Sequence, residues 1–151
     1  MARKGTTKFN SNLQEKRVAE EVNGRVQIAS GSIWTMPSDV RTDDLLIECK
    51  TTEKEYYTLN IKTWEKIEKE ATKDGLRTPV MSIDTASGRF AITNYPLTVD
   101  DQEPPRVKEV NITYRVSIPN VIISFVRFDK HLYCYEWKDF LKGYKASING
   151  K

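Results

Sequence analysis

Histidine and cysteine are scarce in this chain: His131 is the one histidine, and Cys49 and Cys134 are the two cysteines, in 151 residues. The cysteines lie far apart without CxxC spacing, so a zinc site built from Cys and His has too few ligands. Nucleophilic catalysis of the Cys/His or Ser/His kind has only His131 to draw on. Any hydrolysis must then rest on carboxylates, lysine and a metal. Long apolar runs are lacking too, since none approaches the ~20 residues that span a bilayer. Arg3, Lys4 and Lys8 have no apolar segment behind them, which does not fit a secretory signal, and the expected location is the cytoplasm. Neither an internal repeat nor a low-complexity tract is evident.

What is present suits one soluble domain, residues 1–151. An apolar fraction of 38% and a charged fraction of 30% fit a modest core at the commonest single-domain size. The net charge of +3 argues weakly for a polyanionic partner, because many proteins are as basic. Its distribution says more: residues 1–17 hold Arg3, Lys4, Lys8, Lys16 and Arg17 against the single acid Glu15. A flexible basic arm over residues 1–9 is expected, either as a phosphate contact or as a solvated tail.

Asn10 or Ser11 can cap a helix to about Asn23, with Leu13, Val18, Ala19 and Val22 near helical spacing and Asn23-Gly24 as its stop. Arg25 to Ala29 reads as a strand, Ser30-Gly31-Ser32 as a turn, and Ile33 to Pro37 as an extended approach to Asp39. Asp39 to Arg41 and Asp44 to Thr51 read as a hairpin about Thr42-Asp43. Asn60 to Asp74 is a second helix with Ile61, Trp64, Ile67 and Ala71 inward, and Gly75 ends it. Thr78 to Thr85 and Arg89 to Tyr95 form another hairpin. Residues 97–120 are a polar excursion with a candidate edge strand over Lys108 to Ser117. Residues 121–151 hold two β-prone runs, Val121 to Phe128 and His131 to Trp137, then a helix from Lys138 to about Tyr144. The order predicts an α/β fold with a mixed central sheet flanked by helices.

One stretch carries chemistry. Side chains alternate along a strand, so Glu48 and Lys50 share one face while Ile47 and Cys49 share the other. A turn at Thr42-Asp43 sets Asp39 against Leu46, on the same face as Glu48 and diagonal to it. Charged residues on a strand are often only an edge or a surface ion pair. Two convergent carboxylates and a lysine are also what Mg²⁺-assisted phosphodiester hydrolysis requires: the carboxylates hold the hard cation, and the lysine activates water or steadies developing charge.

In this order of elements the chain resembles the PD-(D/E)XK nucleases, and more closely the archaeal-type Holliday junction resolvases and their bacteriophage relatives, over roughly residues 8–95. The resemblance rests on Glu15 in the first helix, Ser30-Gly31-Ser32, Asp39, and Glu48-Cys49-Lys50. It implies a restriction-endonuclease-like fold, Asp39 and Glu48 as metal ligands, Lys50 as the catalytic lysine, Glu15 as a supporting acid and Ser32 as a phosphate-side contact. Where the family has proline directly before the aspartate, this chain reads Pro37-Ser38-Asp39, with Asp43 and Asp44 in reserve. The implied cofactor is Mg²⁺, with Mn²⁺ as a substitute and no organic cofactor. The implied partners are a four-way DNA junction, bound with help from Arg3, Lys4, Lys8, Ser30, Gly31 and Ser32, and a second copy of the chain. The apolar runs of the last third, or else the excursion, would form that homodimer interface. Tyr56, Tyr57 and Thr58 could touch the sugar-phosphate backbone or pack internally.

Overall fold

The computed structural model describes residues 7–27, 39–73, 75–97, 104–107 and 110–149. Helix α1 spans Thr7–Val22, three residues ahead of the expected cap, so residues 7–9 belong to a helix rather than to a flexible arm. It stops where Asn23 turns left-handed at φ 56° and the amide of Gly24 closes on the carbonyl of Ala19 at 2.8 Å. Its buried side is Gln14, Val18, Ala19 and Val22, whereas Leu13, expected inward, is 51% exposed. A buried glutamine in place of an aliphatic residue blurs the apolar stripe.

Strands β1 (Arg25–Gln27), β2 (Asp39–Arg41) and β3 (Leu45–Thr51) form an antiparallel set. A short strand β4 (Tyr57–Asn60) leads directly into helix α2 (Ile61–Lys73). Asn60 Oδ1 accepts from the amide of Lys62 at 2.9 Å and so caps the helix. Ile61, Trp64, Ile67 and Ala71 are its buried stripe, as the spacing predicted. Each of the large ones contributes about 1.5–3 kcal/mol through burial. Gly75, at φ 81°, ends the helix.

Strands β5 (Thr78–Thr85) and β6 (Gly88–Thr93) form the second expected hairpin, with Thr85 opposite Gly88 across Ala86-Ser87. Then come β7 (Thr113–Val116), β8 (Val121–Phe125), a single 3-10 turn (Val126–Phe128), β9 (Lys130–Glu136) and helix α3 (Trp137–Asn149), which runs past the expected end at Tyr144.

Among the described residues the main sheet has seven strands in the order β1-β2-β3-β5-β6-β9-β8, and β4 and β7 pair apart from it as a ribbon. The candidate edge strand of the excursion is thus β7, and its partner is β4. All neighbours in the main sheet run antiparallel except β3 and β5, which makes the sheet mixed. Parallel pairing needs a crossover, which here contains β4 and α2.

Two apolar clusters divide the sheet's faces. One joins Ile61, Trp64 and Ile67 of α2 and Leu59 and Val116 of the ribbon to Met81, Ile83, Phe90 and Ile92. The other joins Val18 and Val22 of α1 and Trp137 and Phe140 of α3 to Val40, Ile47, Cys49 and Val80. The molecule is therefore α/β, a mixed central sheet with helices on both faces. Among the described residues no helix is long and apolar enough to cross a membrane.

Candidate active site

The hairpin of β2 and β3 decides where the charged residues meet. Thr42 Oγ1 accepts from the amides of Asp44 and Leu45, at 3.1 and 2.9 Å, and the amide of Thr42 donates to the carbonyl of Leu45 at 3.0 Å. This threonine-capped turn centres the loop on Asp43-Asp44 rather than on Thr42-Asp43. Pairing then slides by two residues from the sequence expectation: Arg41 faces Leu46, and Asp39 stands directly opposite Glu48, not diagonal to it. A slide of two preserves the side-chain face, because the strand period is two. The corrected register brings backbone positions 39 and 48 closer than expected, with Cβ atoms of such partners about 4.5–5.5 Å apart. The side chain of Asp39 itself lies outside the described residues.

Glu48 and Lys50 pair with Met81 and Ile83 of β5, so both stand on the α2 face, while Ile47 and Cys49 lie in the core beneath α1 and α3. Lys50 Nζ lies 3.5 Å from Glu48 Oε1, with the carboxylate side chain 16% exposed and the lysine 34%. The pair is thus open to solvent from one side and held by the sheet on the other. Tyr57, at the start of β4, has a phenol raised above its ordinary value by burial first and then by the negative charge of Glu48. Tyr57 also packs against the cluster that holds Met81 and Ile83, the partners of Glu48 and Lys50, so the crossover begins on their face of the sheet.

Gln14, which sequence reasoning passed over, fixes the back of this site. Buried to 1% exposure, its Nε2 donates to the carbonyls of Lys50 and Ser82, each at 2.9 Å. One amide group thereby clamps the β3–β5 pair at the lysine. The only sequence signal was its place four residues before Val18 on the helix face. Glu15, its neighbour, is half-exposed on the helix that covers the other face of the sheet. Among the described residues no three His, Cys, Asp or Glu side chains converge as a metal-binding group. Ser30, Gly31 and Ser32, with Arg3 and Lys4, lie outside the described residues, as does the side chain of Lys8.

A second charged cluster ties α1 to the sheet. Arg89 donates to both oxygens of Glu21, at 2.6 and 3.0 Å, and reaches Asp84 at 3.4 Å; Arg17 also pairs with Asp84. Trp137 Nε1 donates to Glu21 at 3.1 Å, and the Arg89 guanidinium lies 5.4 Å from the centre of the Trp137 ring. Burial alone would raise the Glu21 carboxyl, but the hydrogen bonds and charge of Arg89, with Trp137 and Arg17 adding to them, hold it below its ordinary range. These partners are distant in sequence and no local pattern reveals them.

His131 Nδ1 lies 3.0 Å from Ser124 Oγ and 3.1 Å from Arg106 Nη1. Ser124 is buried, and Arg106 Nη1 also donates to its Oγ at 3.3 Å, so the guanidinium engages both the serine oxygen and the ring nitrogen. The trio fastens the excursion to β8 and β9. Cys49 and Cys134 are both buried, and burial pushes the Cys134 thiol up to about 12, so Cys134 is not a nucleophile at neutral pH.

Compared with family models, curated proteins and solved structures, the chain matches none.

Proposed function

We propose that this chain is a Mg²⁺-dependent DNA endonuclease of the PD-(D/E)XK kind, with Asp39, Glu48 and Lys50 as its catalytic set. The observation that carries the reading is the register of β2 and β3: an aspartate directly opposite a glutamate, with a lysine two residues on, on the glutamate's face and against its carboxylate. The succession of α1, three antiparallel strands, a crossover through α2 and a parallel β5 supports a restriction-endonuclease-like fold.

Two carboxylate residues at opposed positions fit a hard divalent cation, Mg²⁺ or Mn²⁺, which takes oxygen donors and retains waters. Asp39 and Glu48 would hold it, and once bound it would supply Lewis acidity and a lowered water pKa. Lys50 places positive charge beside the reacting phosphate, and the clamp of Gln14 on its carbonyl holds the strand that presents it. Glu15 as supporting acid and Ser32 as phosphate contact enter through the resemblance alone. The proposed substrate is a four-way junction, cut by a homodimer whose two identical sites match the substrate's approximate two-fold symmetry.

The test is cleavage of a labelled four-way junction beside a linear duplex of the same sequence, with Mg²⁺ and with EDTA. The expected result is junction cleavage that EDTA abolishes. Asp39→Asn and Glu48→Gln should each lose more than the roughly 10–100-fold that removal of a mere supporting partner costs, while DNA binding persists through phosphate contacts. Near wild-type cleavage by either variant would overturn the assignment. Equal cleavage of duplex would leave the nuclease and remove the junction preference.

A further inference from the structure

Thr58 pairs with Arg115, Tyr57 with Val116, Leu59 with Tyr114 and Asn60 with Thr113 across the β4–β7 ribbon. Its inner face is apolar: Leu59 and Val116 are in the core, and Tyr57 and Tyr114 pack against it. The outer face is polar and basic, with Thr58, Thr113 and Arg115 exposed. At its base the Arg115 guanidinium lies 4.0 Å from the centre of the Tyr56 ring, and Lys54 Nζ lies 5.6 Å from the same ring. Among the described residues no carboxylate pairs with Lys54 or Arg115, although Glu53 and Glu55 are exposed nearby.

The segment carrying Lys54 and Tyr56 is anchored. Ser87 Oγ donates to the carbonyl of Glu55, and the amide of Ala86 donates to the carbonyl of Lys54 at 2.8 Å. The backbone that leads into Tyr56 is therefore held against the β5–β6 turn. A guanidinium stacked on an aromatic face has its orientation set while its edge N–H groups stay available, the arrangement that suits bidentate contact with phosphate. The ribbon also adjoins the candidate site: Tyr57, next to Tyr56, packs against the cluster that holds Met81 and Ile83, the β5 partners of Glu48 and Lys50.

We infer that the outer face of the β4–β7 ribbon, with Arg115 stacked on Tyr56 and Lys54 beside it, grips the phosphate backbone of DNA adjacent to the Glu48–Lys50 pair. The inference rests on the nuclease reading and adds a substrate-positioning surface to it. Stacking orients Arg115, Lys54 adds a second cation, and neither touches the reacting atoms. Their loss should weaken binding without changing turnover of bound DNA.

The experiment is equilibrium binding of the full chain to fluorescent duplex and junction DNA in EDTA over a series of salt concentrations, with steady-state cleavage in Mg²⁺ in parallel. Arg115→Ala should weaken binding about tenfold and reduce the salt slope by about one. Tyr56→Ala should weaken it by releasing the guanidinium, Tyr56→Phe should bind as wild type because the ring face remains, and Arg115→Lys should fall between. Lys145→Ala, on α3 in the opposite layer, is the net-charge reference and should lose less than Arg115→Ala. At saturating DNA, Arg115→Ala should cleave at the wild-type rate with a raised KM.

Arg115→Ala with wild-type affinity and salt slope, or with a loss no larger than that of Lys145→Ala, overturns the ribbon contact even if wild type cleaves DNA. A wild type that binds DNA and never cleaves it, while Arg115→Ala still weakens binding, overturns the nuclease reading and leaves the ribbon contact standing. A wild type without measurable DNA binding overturns both.

Discussion

Lys50 and Glu48 sit 3.5 Å apart, and their separation of roles is open to measurement. A lysine is not a cation ligand, so Lys50→Ala should bind Mg²⁺ or Mn²⁺ as wild type does in calorimetry. It should lose roughly 10²–10⁴-fold in cleavage rate, the range for a positioned proton-transfer group. Loss of metal binding would instead make Lys50 an organiser of the site. Glu21 gives a different kind of prediction. Its carboxyl, ordinarily near 4.5, is lowered in the folded chain, so the stability it adds is full above that value and lost as pH falls through the folded one. Glu21→Gln should cost about 1–3 kcal/mol at neutral pH and flatten the decline of thermal stability below pH ~4.5. An unchanged acid limb would refute this. The shared face of Glu48 and Lys50 and the pairing of position 39 with their strand were legible because strand alternation and one local turn set them, whereas the register was not. Gln14 and the Glu21–Arg89 pair were not, because their partners come from strands that the sequence does not bring near.

Among the elements, α2 was legible residue by residue because Ile61, Trp64, Ile67 and Ala71 repeat at helical spacing on an otherwise charged helix. The β2–β3 hairpin was legible in kind and wrong in register, since the side-chain oxygen of Thr42 captured two amides and moved the loop. The ribbon was legible only in part: β7 falls within the expected edge strand, but β4 is short and distant in sequence, so their pairing was not. At the junction of α1 and β1, Gly24 lies close against β2. A Cβ on Gly24 would meet the carbonyl oxygen of Arg41 at 2.7 Å, backbone that cannot move without disturbing β2. Gly24→Ala should therefore destabilise the fold by about 1–3 kcal/mol and, through β2, reduce any cleavage activity. A thermal melt within experimental error of wild type would show that the hairpin yields.

At the scale of the molecule, the last third of the chain matters for assembly. Val121, Ile122, Ile123, Phe125, Leu132, Cys134, Tyr135 and Trp137 are all buried within this one chain. Most of the apolar residues that suggested a dimer interface there are used internally, whereas Val126, within the same run, is 53% exposed. The exposed apolar residues of the C-terminal half include Ile112 and Ile118, at 45% and 54% exposure, both in the excursion. A C2 dimer is the expected solution state, with the excursion at its interface. Light scattering at micromolar concentration should give twice the chain mass, and Ile118→Asp should halve it; a monomer without DNA would leave only dimerisation on the junction. The excursion also has a place in the fold: Val107 donates to the carbonyl of Ile122, and Ile122 to that of Pro105, each at 2.8 Å, along the β8 edge. An open strand edge invites pairing with other chains, and this one is covered.

The parallel pairing of β3 with β5 has a consequence in time. The hairpins β2–β3, β5–β6 and β8–β9 close short loops, whereas β3 meets β5 only after the chain has passed through β4 and α2. Loop-closure entropy delays such contacts. The amide of Gln14 can reach both Lys50 and Ser82 only when that late step is complete. Glu48 and Lys50 are thus neighbours early, on a local strand, yet their rigid backing arrives among the last events of folding. On the proposed nuclease reading, a nascent or partly unfolded copy would carry Asp39, Glu48 and Lys50 and remain inert.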